Sequence, residues 1–360
     1  MPVTTSAGTG QPVSHAAARL ADVNGLIDPA QPQDAERRLA AGAFVWLDLE
    51  NPGDRRLRAF GESLGMNDPD LQALTAVSQR PSFDVAGDSI RALVPSSNWG
   101  RDRGGILGIP LMYTERFLLT THSGPCRALA AVQHGWDDLP HDVKADGPSL
   151  LFFILNQLIG SFEPDLVQLD SKLDQIQLAL LGGSPPGVEG QLIRIRRELS
   201  EAVQALGWYV GDLHHFDSAR QLPGMDAADE SGFNLHRRRA AQIRDAARDY
   251  RDESQEALGQ VAANISSRQG QFINILTVIS AIFLPLTFLT GYFGMNFGVI
   301  TMDLNKVWLY VLLGILLPAA CVAVTLVILQ RLIARMGIQS ILPSWPAAQA
   351  EPPGRSGPPA

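Results

Sequence analysis

Two long apolar runs near the C-terminal end dominate the hydrophobic pattern of this chain. Residues 272–293 and residues 307–329 contain no charged residue. Each run is long enough to cross a hydrocarbon core of about 30 Å as an α-helix. We therefore predict transmembrane helices at 272–293 and 307–329, joined by a short loop at 294–306.

Shorter and mixed patterns precede these runs. The segment 44–49, FVWLDL, ends at an Asn-Pro-Gly turn and predicts a strand. Further strands are predicted at 89–94, 106–113 and 117–121, and a helix is predicted at 55–64. Together these elements indicate a mixed α/β domain.

From residue 149 onward the apolar residues recur at helical spacing. One helix is predicted to end at residue 181, where a Gly/Pro-rich turn begins, and a second is predicted at 189–216. Two long helices around such a turn form an antiparallel hairpin. After a polar loop at 223–231, a charged helix at 236–267 leads into the first apolar run.

The predicted fold is an α+β membrane protein: a mixed α/β N-terminal cytoplasmic domain, a long helical stalk and two C-terminal transmembrane helices per subunit. The predicted segments are a disordered N-terminus at 1–20, the α/β domain at 21–148, the helical hairpin at 149–222, the stalk helix at 232–271, the first transmembrane helix at 272–293, the periplasmic loop at 294–306, the second transmembrane helix at 307–329 and a cytoplasmic Pro-rich tail at 330–360.

The distribution of arginine predicts the topology. Arg268 precedes the first apolar run, whereas Arg331 and Arg335 follow the second. Positively charged flanks remain on the cytoplasmic side, so both termini are predicted there. The N-terminus has no signal-peptide pattern. A formal net charge of −8 argues against a nucleic-acid partner, and two cysteines provide no disulfide framework.

Small and polar residues follow one face of the first apolar run and continue into the charged helix. The face contains Ile273, Thr277, Ser280, Leu284, Thr287 and Gly291, with Leu276 beside it, and its charged end contains Asp245, Asp249, Asp252 and Glu256. We name this face the polar stripe. Two interpretations are open: close helix packing with a solvated acidic end, or a pore lining with an acidic inner mouth. A pore requires several copies of the chain, because one hairpin encloses none.

The residues at the outer end of this face carry a family resemblance. Gly294, Met295 and Asn296 resemble the GMN signature of the CorA divalent-cation transporter family, and the preceding IFLPLTFLTGYF is similar to that family's first span. The resemblance implies a homopentamer in a bacterial inner membrane, with the lipid bilayer and divalent metal ions as its other partners. It also implies that these three residues select the ion, with Asn296 contacting Mg²⁺ through hydration water.

The identity of the ion is open at this point. The first acidic residue after the motif in the outer loop is Asp303, and the apolar residues before it resemble the ZntB zinc-transporting branch. Zn²⁺, Co²⁺ and Ni²⁺ are therefore alternatives to Mg²⁺ as the transported ion. A membrane-anchored cytoplasmic sensor domain is the alternative from another class. The sequence has no phosphate loop and no His-Glu-x-x-His motif, so we expect no enzyme and no resident cofactor.

Overall fold

The computed structural model describes residues 16–75, 80–99, 105–182, 185–215, 224–225, 227–294, 308 and 311–335. The chain divides into two compact units, Met1–Val261 and Ala262–Ala360. Three predicted site residues, Met295, Asn296 and Asp303, lie outside the described residues. The same holds for residues 1–15 and for the tail from residue 336 onward. Residues 17–20, predicted to be disordered, instead belong to a strand that pairs with its neighbours in the sheet.

A mixed sheet of seven strands lies at the centre of the first unit, as far as the described residues go. The strands are β1 Ala17–Asp22, β2 Gly25–Ile27, β3 Val45–Glu50, β4 Ser82–Ala86, β5 Ser89–Ser97, β6 Ile106–Tyr113 and β7 Phe117–His122. They follow the order β2-β1-β3-β7-β6-β5-β4. Strands β3 and β7 are parallel, and the other neighbours are antiparallel. The predicted mixed α/β domain is confirmed.

Both faces of the sheet are covered, which explains the nearly continuous apolar sequence of the central strands. The shorter helices of the unit are α1 Pro32–Ala40, α2 Asp54–Leu64, α3 Asp68–Thr75, α4 Arg127–His134 and α5 His141–Ala145. From β3, Leu47 and Leu49 enter one core with α1 and α2. Trp46 enters the other core, where its ring lies 5.5 Å from that of Trp136.

The longer helices differ from the prediction in two places. The helix predicted to run to residue 181 is two helices, α6 Gly147–Gly160 and α7 Phe162–Leu181. They meet at Ser161, whose hydroxyl accepts a 2.8 Å hydrogen bond from the Ser97 backbone N–H of β5, so the sheet fixes the break. After α8 Val188–His215 comes α9 Ala227–Phe293, which includes residues predicted as a loop before 232.

The long helix α9 combines the predicted stalk and the first apolar run without a break. Two stretches in the described part are long and apolar enough to span a membrane: Gly147–Leu181 and Asp229–Tyr292. In the former, 56% of the apolar window is buried, as in a core helix, whereas in the latter 0% is buried. In the second predicted span, the described residues form a π-helical turn, Leu312–Leu316, and α10 Leu317–Arg335.

Candidate functional site on the long helix

One face of α9 belongs to the core of the first unit. Its buried positions recur every three or four residues, with one gap of seven between Ala247 and Ser254, which is the spacing of a helix face that packs against neighbours. We name this face the packing seam, and its members are Phe233, His236, Ala240, Ile243, Ala247, Ser254, Ala257 and Val261. The apolar members belong to one cluster with residues of α6, α7 and α8.

The acidic end of the polar stripe lies on the opposite face of α9. Asp245, Asp249, Asp252 and Glu256 are exposed. Asp245 follows Ile243 of the packing seam by two residues, which is a rotation of about 200° on a helix. Arg244 donates to Asp245 at 2.7 Å and Arg251 donates to Asp252 at 2.6 Å, so these two carboxylates are partly neutralised.

The part of the polar stripe that lies within the apolar run 272–293 is exposed as well. Its members Ile273, Leu276, Thr277, Ser280, Leu284, Thr287 and Gly291 are all exposed in the single chain. Residues on other faces of this segment, such as Phe272, Phe283 and Phe288, are also exposed. Exposure alone therefore does not distinguish the stripe; its distinguishing feature is that Thr277, Ser280, Thr287 and Gly291 share one helix face.

The two threonines of the stripe present hydrogen-bond acceptors outward. The Thr277 hydroxyl donates to the Ile273 carbonyl oxygen at 2.8 Å, and the Thr287 hydroxyl donates to the Phe283 carbonyl oxygen at 2.7 Å. A hydroxyl has one donor and two lone pairs. Because the donor is used inside the helix, the oxygen remains free to accept from a water molecule. Waters around a cation point their hydrogens outward, so these oxygens suit a hydrated cation.

On a straight helix, the side chains at the two ends of the polar stripe point in different directions. A seven-residue repeat drifts by about 20° per heptad. Asp245 and Thr287 are six heptads apart, so their directions differ by about 120° unless the helices supercoil. The acidic end and the threonine end can share one axis only in a left-handed bundle of such helices.

The C-terminal end of the stripe coincides with the end of α9. The Gly294 N–H donates to the Thr290 carbonyl oxygen at 2.9 Å. A Cβ atom on residue 294 would lie 3.0 Å from that same oxygen, which favours glycine here. The other two residues of the motif follow immediately, outside the described residues. Within the described ranges, no three His, Cys, Asp or Glu side chains form a group that could hold a metal ion.

A buried polar network lies between β3 and β7, away from α9. The Asp48 carboxylate accepts from the Thr120 hydroxyl at 2.6 Å and from the Gln133 amide at 2.6 Å. His122 lies between the Asp48 carboxylate, at 3.2 Å, and the Gly124 carbonyl oxygen, at 2.5 Å. Burial opposes the charged ring, but the hydrogen bond and charge of Asp48 outweigh it and raise the pKa of His122. His122 is therefore a core histidine.

The comparison with known families decides the identity of the chain. Residues 41–331 match the family described as CorA-like Mg²⁺ transporter protein. The chain belongs to the CorA family. CorA proteins carry divalent metal cations across membranes, so this chain is a divalent metal cation transporter and not an enzyme.

Individual CorA proteins resemble the chain over most of its length. The cobalt/magnesium transport protein CorA of Methanocaldococcus jannaschii is 23% identical over 265 residues, which cover 73% of this chain and 83% of that protein. The complete structure of the CorA magnesium transporter from that organism has a TM-score of 0.74 at 20% identity and covers 88% of this chain and 98% of its own. The ZntB cytoplasmic domain from Vibrio parahaemolyticus has a TM-score of 0.55 at 16% identity, covering 69% of this chain and 98% of that domain.

One contact of the long helix in this CorA chain, made by His236, was not predicted from the sequence. His236 of α9 lies with its Nε2 atom 3.0 Å from the Tyr209 hydroxyl of α8 and its Nδ1 atom 3.0 Å from the Asn156 amide oxygen of α6. The amide oxygen only accepts, so Nδ1 donates and Nε2 accepts from the tyrosine. Burial and the charge of Arg239 lower the pKa of His236 to about 3, so the ring stays neutral.

Proposed function

We propose that the chain is one subunit of a homo-oligomeric pore that admits Mg²⁺ into the cell. The observation that carries the proposal is the exposed polar stripe on α9, which faces away from the packing seam in the first unit. A single transmembrane hairpin cannot enclose a path for ions. Several copies arranged around an axis can, and the resemblance to CorA proteins favours five.

In this proposal the membrane contains residues 272–293 and 307–329, with both termini in the cytoplasm. The first segment has no charge and no burial in the single chain. Arg268 and Arg331 lie at the cytoplasmic ends of the two segments. The acidic residues from Asp245 to Glu256 then form the inner mouth, and Asp303 lies in the outer loop.

The motif at residues 294–296 suits the capture of a hydrated ion. Mg²⁺ releases its first water shell reluctantly. A ring of Asn296 amides can accept hydrogen bonds from those waters without replacing them, and neutral oxygens do not trap the ion. Below the ring, the outward lone pairs of Thr287 and Thr277 offer further acceptors along the path.

Apolar residues of the stripe form the gate in this proposal. Leu284, together with Ile273 or Leu276, gives rings of apolar side chains that close a narrow path by excluding water. A shift of the stalk part of α9 widens these apolar rings and opens the path. Leu284→Asn should therefore raise the flux, and Leu286→Asn is the matched control because it adds the same polar group about 200° away on the helix. Equal flux in both folded variants contradicts this gate.

The membrane potential is sufficient to drive uptake. Each elementary charge gains about 2.3 kcal/mol per 100 mV. A divalent cation entering a negative-inside cell therefore gains about twice that amount, and no nucleotide hydrolysis is needed. Transport is accordingly proposed to be passive.

Magnesium is the first choice of ion, and a transition metal is the second. The M. jannaschii relative is named as a cobalt/magnesium transport protein, which supports Mg²⁺ or Co²⁺. The apolar outer loop before Asp303 favours the second candidate, a Zn²⁺ carrier, with Ni²⁺ as a further substrate of the same kind. Family membership argues against the anchored sensor domain.

Ion uptake into proteoliposomes tests the proposal. The protein is reconstituted with Mg²⁺-sensitive and Zn²⁺-sensitive dyes under an inside-negative potential. We expect Mg²⁺ entry that is lost in Asn296→Ala and kept in Asn305→Ala, a loop asparagine outside the motif. Entry of Zn²⁺ without Mg²⁺ selects the second candidate, and no flux of any divalent cation from folded oligomer overturns the proposal.

A further inference from the structure

Half of the packing seam of α9 consists of small side chains. Ala240, Ala247 and Ala257 are fully buried, and the buried Ser254 hydroxyl donates to the Arg251 carbonyl oxygen of its own helix at 2.6 Å. Because most seam positions are three or four residues apart, a shift of one turn, about 5.4 Å, moves most members into the place of the next. The shapes of the three alanines and Ser254 therefore fix the axial position of α9 only weakly.

Two contacts with α7 show that the helices run parallel in one register. Arg239 donates to Glu163 at 3.0 Å, and Gln177 donates to Glu253 at 2.7 Å. Both pairs are separated by 76 residues, so the same offset holds along the helix pair. Arg239 and Glu163 are half-exposed, and such ion pairs contribute little to stability. The ion pair therefore reports the register without enforcing it.

Larger groups meet at the start of α9. Phe233 packs between Phe83 and Phe152, with ring distances of 5.8 and 6.5 Å. This aromatic packing locates the helix, but a shift would leave no polar group unpaired at Phe233. His236 differs, because both of its nitrogens have partners in the buried core, the Tyr209 hydroxyl and the Asn156 amide. A shift of one turn brings Ala240 to this place and removes the partner of the buried Tyr209 hydroxyl and of the half-buried Asn156 amide, which is costly.

We infer that His236 is a positioning residue that fixes the axial register of α9 through Tyr209 and Asn156. A single buried polar group that specifies register is well attested between packed helices. The consequence for transport rests on the proposed function of the polar stripe. One register places the rings of Leu284 and Thr287 from every subunit at one level, whereas mixed registers displace them by about 5.4 Å.

Cross-linking in the full-length protein measures the register directly. Cys126 and Cys321 are replaced by serine, and cysteine pairs are introduced at positions 177 and 253, 177 and 249, or 177 and 256. A short bifunctional thiol reagent then reports which α9 residue faces Gln177. With His236 present, we expect the 177–253 pair to dominate. Ion flux is measured in parallel on the corresponding proteins that lack the introduced cysteine pairs.

In His236→Leu we expect the 177–249 or 177–256 yield to rise to that of 177–253, together with a loss of flux. His236→Gln retains one acceptor and one donor and should restore both the preference and the flux. Tyr209→Phe keeps the ring and should reduce the preference, which gives a second test if the leucine variant does not fold. Phe233→Leu, the matched control, should lower stability without changing the preference.

An unchanged preference for 177–253 in both His236→Leu and Tyr209→Phe overturns the inference, whatever the flux. A preference lost equally in Phe233→Leu also overturns it, because general loosening then explains the result. A shift in cross-linking with no ion flux in any version of the protein, the parent included, supports the register inference and instead contradicts the proposed role of the stripe.

Discussion

Acidification should release the start of α9 through His236. Its pKa falls from the ordinary 6.5 to about 3 in the fold, because burial and the charge of Arg239 oppose the charged ring. Below pH 6.5, His236 therefore binds a proton in the unfolded chain but not in the folded chain. Each pKa unit corresponds to about 1.4 kcal/mol, so between pH 7 and pH 4 the folded state loses about 3 kcal/mol through this residue.

The described groups that contact the ring carry no negative charge to balance a protonated ring. Asn156 of α6 is neutral, Tyr209 of α8 donates to the ring, and Arg239 of α9 is positive and paired with Glu163 of α7. Protonation gives Nε2 a hydrogen that faces the tyrosine oxygen and places a second positive charge near Arg239. The stability linked to His236 is thus present above pH 6.5 and lost as the pH falls toward 3.

Urea unfolding of the detergent-solubilised protein between pH 7 and pH 4 measures the effect, with tryptophan fluorescence of the first unit as the signal. The free energy of unfolding of the parent should fall more steeply with acid than that of His236→Gln. The gap between the two slopes should reach about 1.4 kcal/mol per pH unit below pH 6. His134→Gln, at an exposed position, controls for the removal of a histidine. Parallel curves for parent and His236→Gln refute the reasoning.

Further predictions concern the sheet and the packing seam. Asp48→Asn should lower the free energy of unfolding by about 3 kcal/mol, because it removes a buried charge partner, and the same urea assay at pH 7 checks it. His122, whose pKa is raised, stabilises the fold below its ordinary pKa and loses this contribution as the pH rises through the folded value, so His122→Asn should flatten the alkaline side of the stability profile. Ala247→Leu should destabilise the protein by about 1–3 kcal/mol by overfilling the seam, whereas Leu235→Ala, at an exposed position, should not.

The strands that are covered on both faces, β3, β5, β6 and β7, were predicted from the sequence. The apolar run that became β3 is long, β-branched at its start and bounded by a turn, and β5, β6 and β7 are similar. Strands β1, β2 and β4 were missed because they are short or Ala- and Ser-containing and lie at or near the sheet edges. The break at Ser161 depends on its hydrogen bond to β5, which is a tertiary contact.

In the candidate site, too, the sequence predicted local features but not contacts between distant residues. The polar stripe is periodic along one helix, so local spacing was enough to find it. The partners of His236 lie 27 and 80 residues away in the chain, on two other helices. A lone histidine among arginines gives no local sign of such partners. The roles of Asn296 and of the stripe in ion flux remain predictions.

The length of α9 within the first unit has a mechanical consequence. From His236 to Val261, the last member of the packing seam, the helix rises about 38 Å, at about 1.5 Å per residue. A rotation of about 4.5° around the histidine displaces Val261 by about 3 Å, the diameter of a water molecule. Small changes in the packing around Tyr209 and Asn156 therefore produce larger displacements along the acidic end of the polar stripe.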